Sequence, residues 1–118
     1  MEFTSQKISD VTLIKIQGRI DHNTAKDFEK AFKPYLDQCI SGQQKKIIVD
    51  LNGVDFMTSA GLRVLLKAVK ELKRTDGRLC VCAVKDYIRE IFSLSGFLTF
   101  LPTHSTLEES LLTFHQPS

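Results

Sequence analysis

Two adjacent hydroxyls, Thr58 and Ser59, stand where a strand pattern gives way to a helix pattern, followed by the small residues Ala60 and Gly61. The first N–H groups of a helix have no intrahelical partner, and the helix dipole favours negative charge there. Three chemistries fit such a junction. A hydroxyl can cap the helix, the ordinary role, worth about 1 kcal/mol. It can accept a phosphoryl group, adding close to two negative charges that the helix end tolerates and an apolar or acidic partner does not. The positive helix end can also hold a small anion or a nucleotide. Gly61 in the first helical turn costs roughly 1 kcal/mol against Ala. It implies a close backbone approach, to a neighbouring strand or to a partner.

Residues for enzymatic chemistry are less well placed. His22, His104 and His115 are scattered, with no Cys, Asp or Glu at metal-ligand spacing, so no metal site is expected. His104 lies beside Ser105, but there is no GxSxG elbow, and Ser105 with Glu108 reads as a capping box. Asp50 and Asp55 bracket a strand end without an obvious third ligand. Gly53 is isolated, with neither a GxGxxG nor a GxxxxGK[ST] pattern, so no dinucleotide or P-loop site is read. Enzyme is the weaker class, and no catalytic residue or cofactor is expected.

The elements that position the junction follow from periodicity. Lys46–Asp50 is a short β-branched run typical of a buried strand, and Leu51–Phe56 carries turn chemistry between apolar anchors. From Ala60, residues Leu62, Leu65, Leu66, Val69 and Leu72 recur at helical spacing, while Arg63, Lys67, Lys70, Lys73 and Arg74 fall mostly on the other face. Upstream, Phe3–Lys7 is an edge strand and Val11–Ile16 another, joined by a tight hairpin at Ser9-Asp10. Gly18–Asp21 ends that strand. Asn23-Thr24 offers caps, with Asp27 in the first turn of a helix whose inner face is Ala25, Phe28, Phe32, Tyr35, Leu36 and Cys39. Pro34 inside it must cost a hydrogen bond and is expected to kink or shorten the helix. Ser41–Gln44 is the loop into the central strand.

Downstream, Thr75-Asp76-Gly77 is a stop signal and Arg78–Val84 a fourth strand. Asp86 caps a short helix with Ile88, Ile91 and Phe92 inward, ended by Ser95-Gly96. Phe97–Leu101 is a final strand stopped by Pro102, and Leu107, Leu111 and Phe114 give the last helix its apolar stripe. The order β-β-α-β-α-β-α-β-α implies an α/β fold: a mostly parallel sheet with an antiparallel hairpin at its start.

Composition agrees with one domain over residues 1–118. Hydrophobic residues at 42% and charged residues at 25% are ordinary globular values. The net charge of +2 is spread without a continuous basic patch, so nucleic acid is a poor partner. No signal peptide or membrane-spanning run is read, and no heptad seam calls for self-association. Three cysteines without a CxxC read as buried thiols in a reducing compartment. A soluble, cytoplasmic, monomeric domain is the expectation.

The stretch Val49–Leu66, with Asp50-Leu51-Asn52-Gly53 and Thr58-Ser59-Ala60-Gly61-Leu62 at its heart, resembles the signature of bacterial anti-sigma factor antagonists, the small stand-alone members of the STAS superfamily. Gly18-Arg19-Ile20-Asp21, with Thr24, Ala25 and Phe28, resembles the family's earlier segment, and Phe97-Leu98 through Glu108-Glu109 fits as well. The resemblance covers nearly the whole chain. It implies a mixed sheet of four to five strands flanked by about four helices. It also implies a cytoplasmic, non-enzymatic switch in a partner-switching pathway. The unphosphorylated antagonist binds an anti-sigma factor that is a serine kinase of the histidine-kinase-like ATPase fold. Phosphorylation breaks the complex, and a serine phosphatase restores it.

The family's commonest loop is Asp-Ser-Ser-Gly-Leu with the second serine modified, and here Ala60 holds that position. A related Ser-Ser-Ala-Gly-Leu form points to Ser59 as the acceptor, with Thr58 as the fallback. The resemblance thus implies a partner surface of Asp21, Asn23, Thr58, Ser59, Ala60, Gly61, Arg63 and Lys67. Ala60 also motivates a second reading: a non-phosphorylated STAS subunit of a transport or other multiprotein complex.

Overall fold

Chain reversal at Ser9-Asp10 sets the first register. The computed structural model describes residues 1–42, 45–96, 99 and 101–115. Strands β1 (Glu2–Ile8) and β2 (Val11–Ile20) pair antiparallel, with Ile8 opposite Val11 and Ser9 at φ 57° in the turn. There follow α1 (Ala25–Ile40), β3 (Lys46–Met57), α2 (Ser59–Lys73), β4 (Arg78–Cys82), α3 (Asp86–Leu94), β5 (Thr103–His104) and α4 (Leu107–His115). Among the described residues the strands form one five-stranded sheet in the order β1-β2-β3-β4-β5, parallel from β2 onward. The result, among the described residues, is a mixed α/β sheet with four helices, as the alternation of patterns implies.

The inner strands are apolar on both faces because both faces are covered. Ile14, Ile16, Ile47, Val49, Leu79 and Val81 point into a large core completed by Phe28 and Phe32 of α1, Leu65 and Leu72 of α2, and Ile88 and Phe92 of α3. Their alternates Val11, Leu13, Ile48, Cys80 and Cys82 form a second core with Phe114 of α4. All three cysteines are buried free thiols. Burial raises Cys39 and Cys80 to about 11 and Cys82 to about 12. Thiolate is the reactive species. Ellman's reagent at pH 8 is therefore expected to label none of them in the native protein within minutes, and all three in denaturant. Rapid native labelling of any one would contradict this packing.

Several elements differ from their sequence pattern, each for a physical reason. Leu51–Phe56 is not a turn but the second half of β3. Extra β3 residues are accommodated by irregular pairing with β2, first between Lys15/Asp50 and Gln17/Gly53, then between Gly18/Val54 and Arg19/Phe56. Bulge positions favour the residues that also make turns, here Asn52-Gly53 and Asp55. A Cβ on Gly53 would lie 2.6 Å from Gln17 Cγ and 3.1 Å from the Ile16 carbonyl oxygen, so this crowded bulge requires glycine.

Pro34 does not shorten its helix, which runs on to Ile40. Strand β4 stops at Cys82 rather than Val84, since Ala83 at φ 57° leaves the pleat. Ile88 and Phe92 are buried, but Ile91 is exposed. The last capping box is displaced by one residue: Thr106 Oγ1 accepts from Glu109 N at 3.2 Å, and Glu109 Oε2 from Ser105 N at 3.1 Å. The described final strand lies beyond Pro102, at Thr103–His104. Most of the expected Phe97–Leu101 strand (residues 97, 98 and 100) lies outside the described residues, as do Gln43 and Gln44 of the loop before β3.

Candidate functional site

The C-terminal ends of parallel strands gather the loops that α/β proteins use for recognition. At this edge Ile20 and Met57, the last residues of β2 and β3, sit in register. Thr58 N donates to the Ile20 carbonyl at 2.9 Å, which fastens the strand–helix junction to the start of the loop after β2. Gly61 completes the clasp. A Cβ there would meet Ile20 Cγ2 at 2.6 Å and Met57 Cγ at 2.9 Å. The close approach implied by a first-turn glycine is therefore to a neighbouring strand.

Within the junction the two hydroxyls have different environments. Thr58 occupies the N-cap position with extended backbone, yet its side chain makes no capping bond. Its Oγ1 is buried and has no hydrogen-bond partner. Ser59, the first residue of α2, is exposed. The first bonds back to the Thr58 carbonyl come from Gly61 N at 3.0 Å and Leu62 N at 3.3 Å. The Ser59 and Ala60 N–H groups therefore lie outside the helical ladder and form its electropositive end. Ala60, at the family's usual acceptor position, packs half-buried against the main core. Neither hydroxyl serves as an ordinary cap.

The neighbouring loop is a compact hydrogen-bonded turn. Thr24 Oγ1 accepts from Asp21 N at 2.8 Å and donates to the Arg19 carbonyl at 3.0 Å. Asp21 Oδ1 accepts from Asn23 N at 2.9 Å and Thr24 N at 3.1 Å, and Arg19 Nε lies 3.7 Å from Asp21 Oδ2. The Thr24 hydroxyl thus closes the turn instead of capping α1. The amide of Thr24, aided by that of Asn23 and by Arg19, holds the Asp21 carboxyl below the usual aspartate value. A carboxylate depressed in the folded state stabilises the turn at neutral pH, and that contribution is lost as pH falls through the folded pKa. Amide resonances of Asn23 and Thr24 are expected to titrate with a midpoint below that of an ordinary aspartate. A midpoint at or above the ordinary value would contradict the turn geometry.

Thus Asp21, Asn23, Thr58, Ser59, Ala60 and Gly61 are brought together at one edge. Arg63 is exposed one turn along α2. Lys67 lies a further turn away and pairs with Glu29 of α1 at 2.8 Å, a contact that raises its pKa. Sequence reasoning missed Phe56, whose exposed ring lies 4.3 Å beneath the Arg19 guanidinium, beside the junction. Reading 51–56 as a turn hid the alternation that would have placed it on a surface. His104, which the sequence sets beside Ser105 without supporting a hydrolase, places its Nδ1 2.7 Å from the fully buried Ser110 Oγ.

Comparison with known proteins follows the same lines. A family model described as STAS domain matches residues 2–110. BtrV of Bordetella bronchiseptica, provisionally named an anti-sigma factor antagonist, is 31% identical over 114 residues, which cover 97% of this chain and 95% of BtrV. The crystal structure of an anti-sigma factor antagonist from Mycobacterium paratuberculosis aligns with a TM-score of 0.83 at 23% identity, covering 98% of this chain and 94% of that one. The Bacillus cell fate determinant SpoIIAA in its phosphorylated form aligns with a TM-score of 0.73 at 22% identity, over 97% of this chain and all of that one.

Proposed function

Because this chain belongs to the STAS domain family, we propose that it is an anti-sigma factor antagonist whose binding is switched by phosphorylation of Ser59. In its unphosphorylated form it binds an anti-sigma factor that is also a serine kinase of the histidine-kinase-like ATPase fold. A serine phosphatase reverses the modification. One observation carries the choice of acceptor: Ser59 is exposed at the start of α2, while the Thr58 hydroxyl beside it is buried. A kinase reaches the first without disturbing the fold and cannot reach the second.

The surface around Ser59 supports recognition. Asp21 and Asn23 lie in a hydrogen-bonded turn beside it, and Arg63 is exposed one turn along α2. A dianion added there faces the helix N-terminus, so the fold tolerates it while an apposed apolar or acidic surface does not. The protein acts as partner and substrate rather than as enzyme. Among the described residues the closest hydroxyl–imidazole pair, His104 with Ser110, is withheld from substrate by the complete burial of Ser110.

Affinity purification of the unmodified chain from its own cells tests the reading. Recovery of a stoichiometric protein of the histidine-kinase-like ATPase fold, released by ATP, is the expected result. Stable recovery of a membrane transporter ATPase instead would support the transport-subunit alternative and overturn this one.

A further inference from the structure

At the opposite end of α2 from Ser59, about 21 Å along the helix axis, a cavity of about 220 Å³ opens between α2, β4 and α4. Its walls are apolar: Val69 and Leu72 from α2, Leu79 from β4, and Phe114 from α4. Its charged lining is of one sign. Lys73 and Arg78 border it, and no carboxylate does so among the described residues. The Arg78 guanidinium carbon sits 5.0 Å from the centroid of the Phe114 ring, so a cation is fixed on an aromatic wall. His104 also lines the cavity, but its Nδ1 is committed to Ser110, leaving Arg78 as the better anchor for an anion. A guanidinium recognises a carboxylate through paired N–H donors. The volume lies between the ~150 Å³ that holds benzene and the ~300 Å³ at which drug-sized pockets begin.

We propose that this cavity is a binding site for a small amphipathic carboxylate, an aromatic or short aliphatic acid of about six to ten carbons. The apolar body fills the space between Leu72, Leu79 and Phe114, and the carboxylate meets Arg78 at the mouth. The site is separate from the Ser59 edge and does not rest on the phosphorylation reading.

Benzoate and hexanoate, with benzyl alcohol and 1-hexanol as uncharged counterparts, can be titrated into the full-length protein and followed by NMR. Saturable shifts centred on the Val69, Leu72 and Leu79 methyls and the Phe114 ring are expected. The acids should bind a few-fold more tightly than the alcohols, since an ion pair to an exposed guanidinium is worth up to about 1 kcal/mol. Arg78 is exposed, so Arg78→Gln should fold normally, keep alcohol binding and lose the preference for acids. Absence of saturation by about 10 mM would overturn the proposal. So would equal affinity for acids and alcohols, or an acid preference that survives Arg78→Gln.

Discussion

Ser59→Asp is expected to lower affinity for the anti-sigma partner by at least about 100-fold while leaving the fold as stable as the wild type. The two halves of this result have different causes. In the free protein the new carboxylate stands at the first residue of α2, beside N–H groups that lie outside the helical ladder. A charge so placed is neutral or stabilising by about 0.3–1 kcal/mol. In the proposed complex the same carboxylate would meet a surface that accommodates a neutral hydroxyl. Desolvation and like-charge apposition cost several kcal/mol, and about 2.7 kcal/mol corresponds to the 100-fold loss. Ser59→Ala should retain affinity, because Ser59 is exposed at the first residue of α2 and the N-cap position is held by Thr58. Calorimetry for binding and thermal melts for stability separate the two effects. Undiminished binding by Ser59→Asp would refute the switch, whereas lost binding with a collapsed melting temperature would indicate mere misfolding.

Phe28→Ala is expected to produce a large loss of stability. Phe28 is fully buried on the inner face of α1, with its ring 5.6 Å from that of Phe32 at an interplanar angle of 89°. Truncation removes the transfer free energy of the ring and leaves a cavity, together about 3–5 kcal/mol. The lost edge-to-face contact falls within that figure or adds up to about 1 kcal/mol. Against a total of about 5–15 kcal/mol, the variant is marginal. In urea the midpoint should fall by more than about 1 M with little change in slope. A shift of a few tenths molar would show that the α1 core rearranges to fill the space. Because α1 follows directly on the Asp21–Thr24 turn, partner affinity should weaken in parallel with stability.

The sheet was legible because its strands obey simple rules of burial. Ile47-Ile48-Val49 and Cys80-Val81-Cys82 are continuous apolar runs, the mark of strands covered on both sides, and α2 advertises itself through Leu62, Leu65, Val69 and Leu72. Harder to read were segments where one composition serves two conformations. Asn52-Gly53 and Asp55 serve a bulged strand as well as a turn, and only the partner strand β2 decides between them. A one-residue displacement of the capping box to Thr106 and Glu109 arises similarly, because Ser105 and Thr106 are adjacent hydroxyls with adjacent acids three residues on. At the junction, spacing pointed to Thr58 and Ser59 together. What separates them is the burial of Thr58 Oγ1, a property of the packed junction that is absent from local sequence. Phe56 was hidden by the turn reading of 51–56, and its contact with Arg19 comes from the pairing of β2 with β3.

Phosphate mapping is the most direct test of the central claim. The protein, with Thr58→Ala and Ser59→Ala variants alongside, would be purified from its own cells and its peptides analysed by mass spectrometry. The account predicts phosphate on the peptide spanning Met57 to Arg63, retained in Thr58→Ala and absent in Ser59→Ala. Phosphate that persists in Ser59→Ala, or its absence from the wild-type peptide under every growth condition, would contradict it.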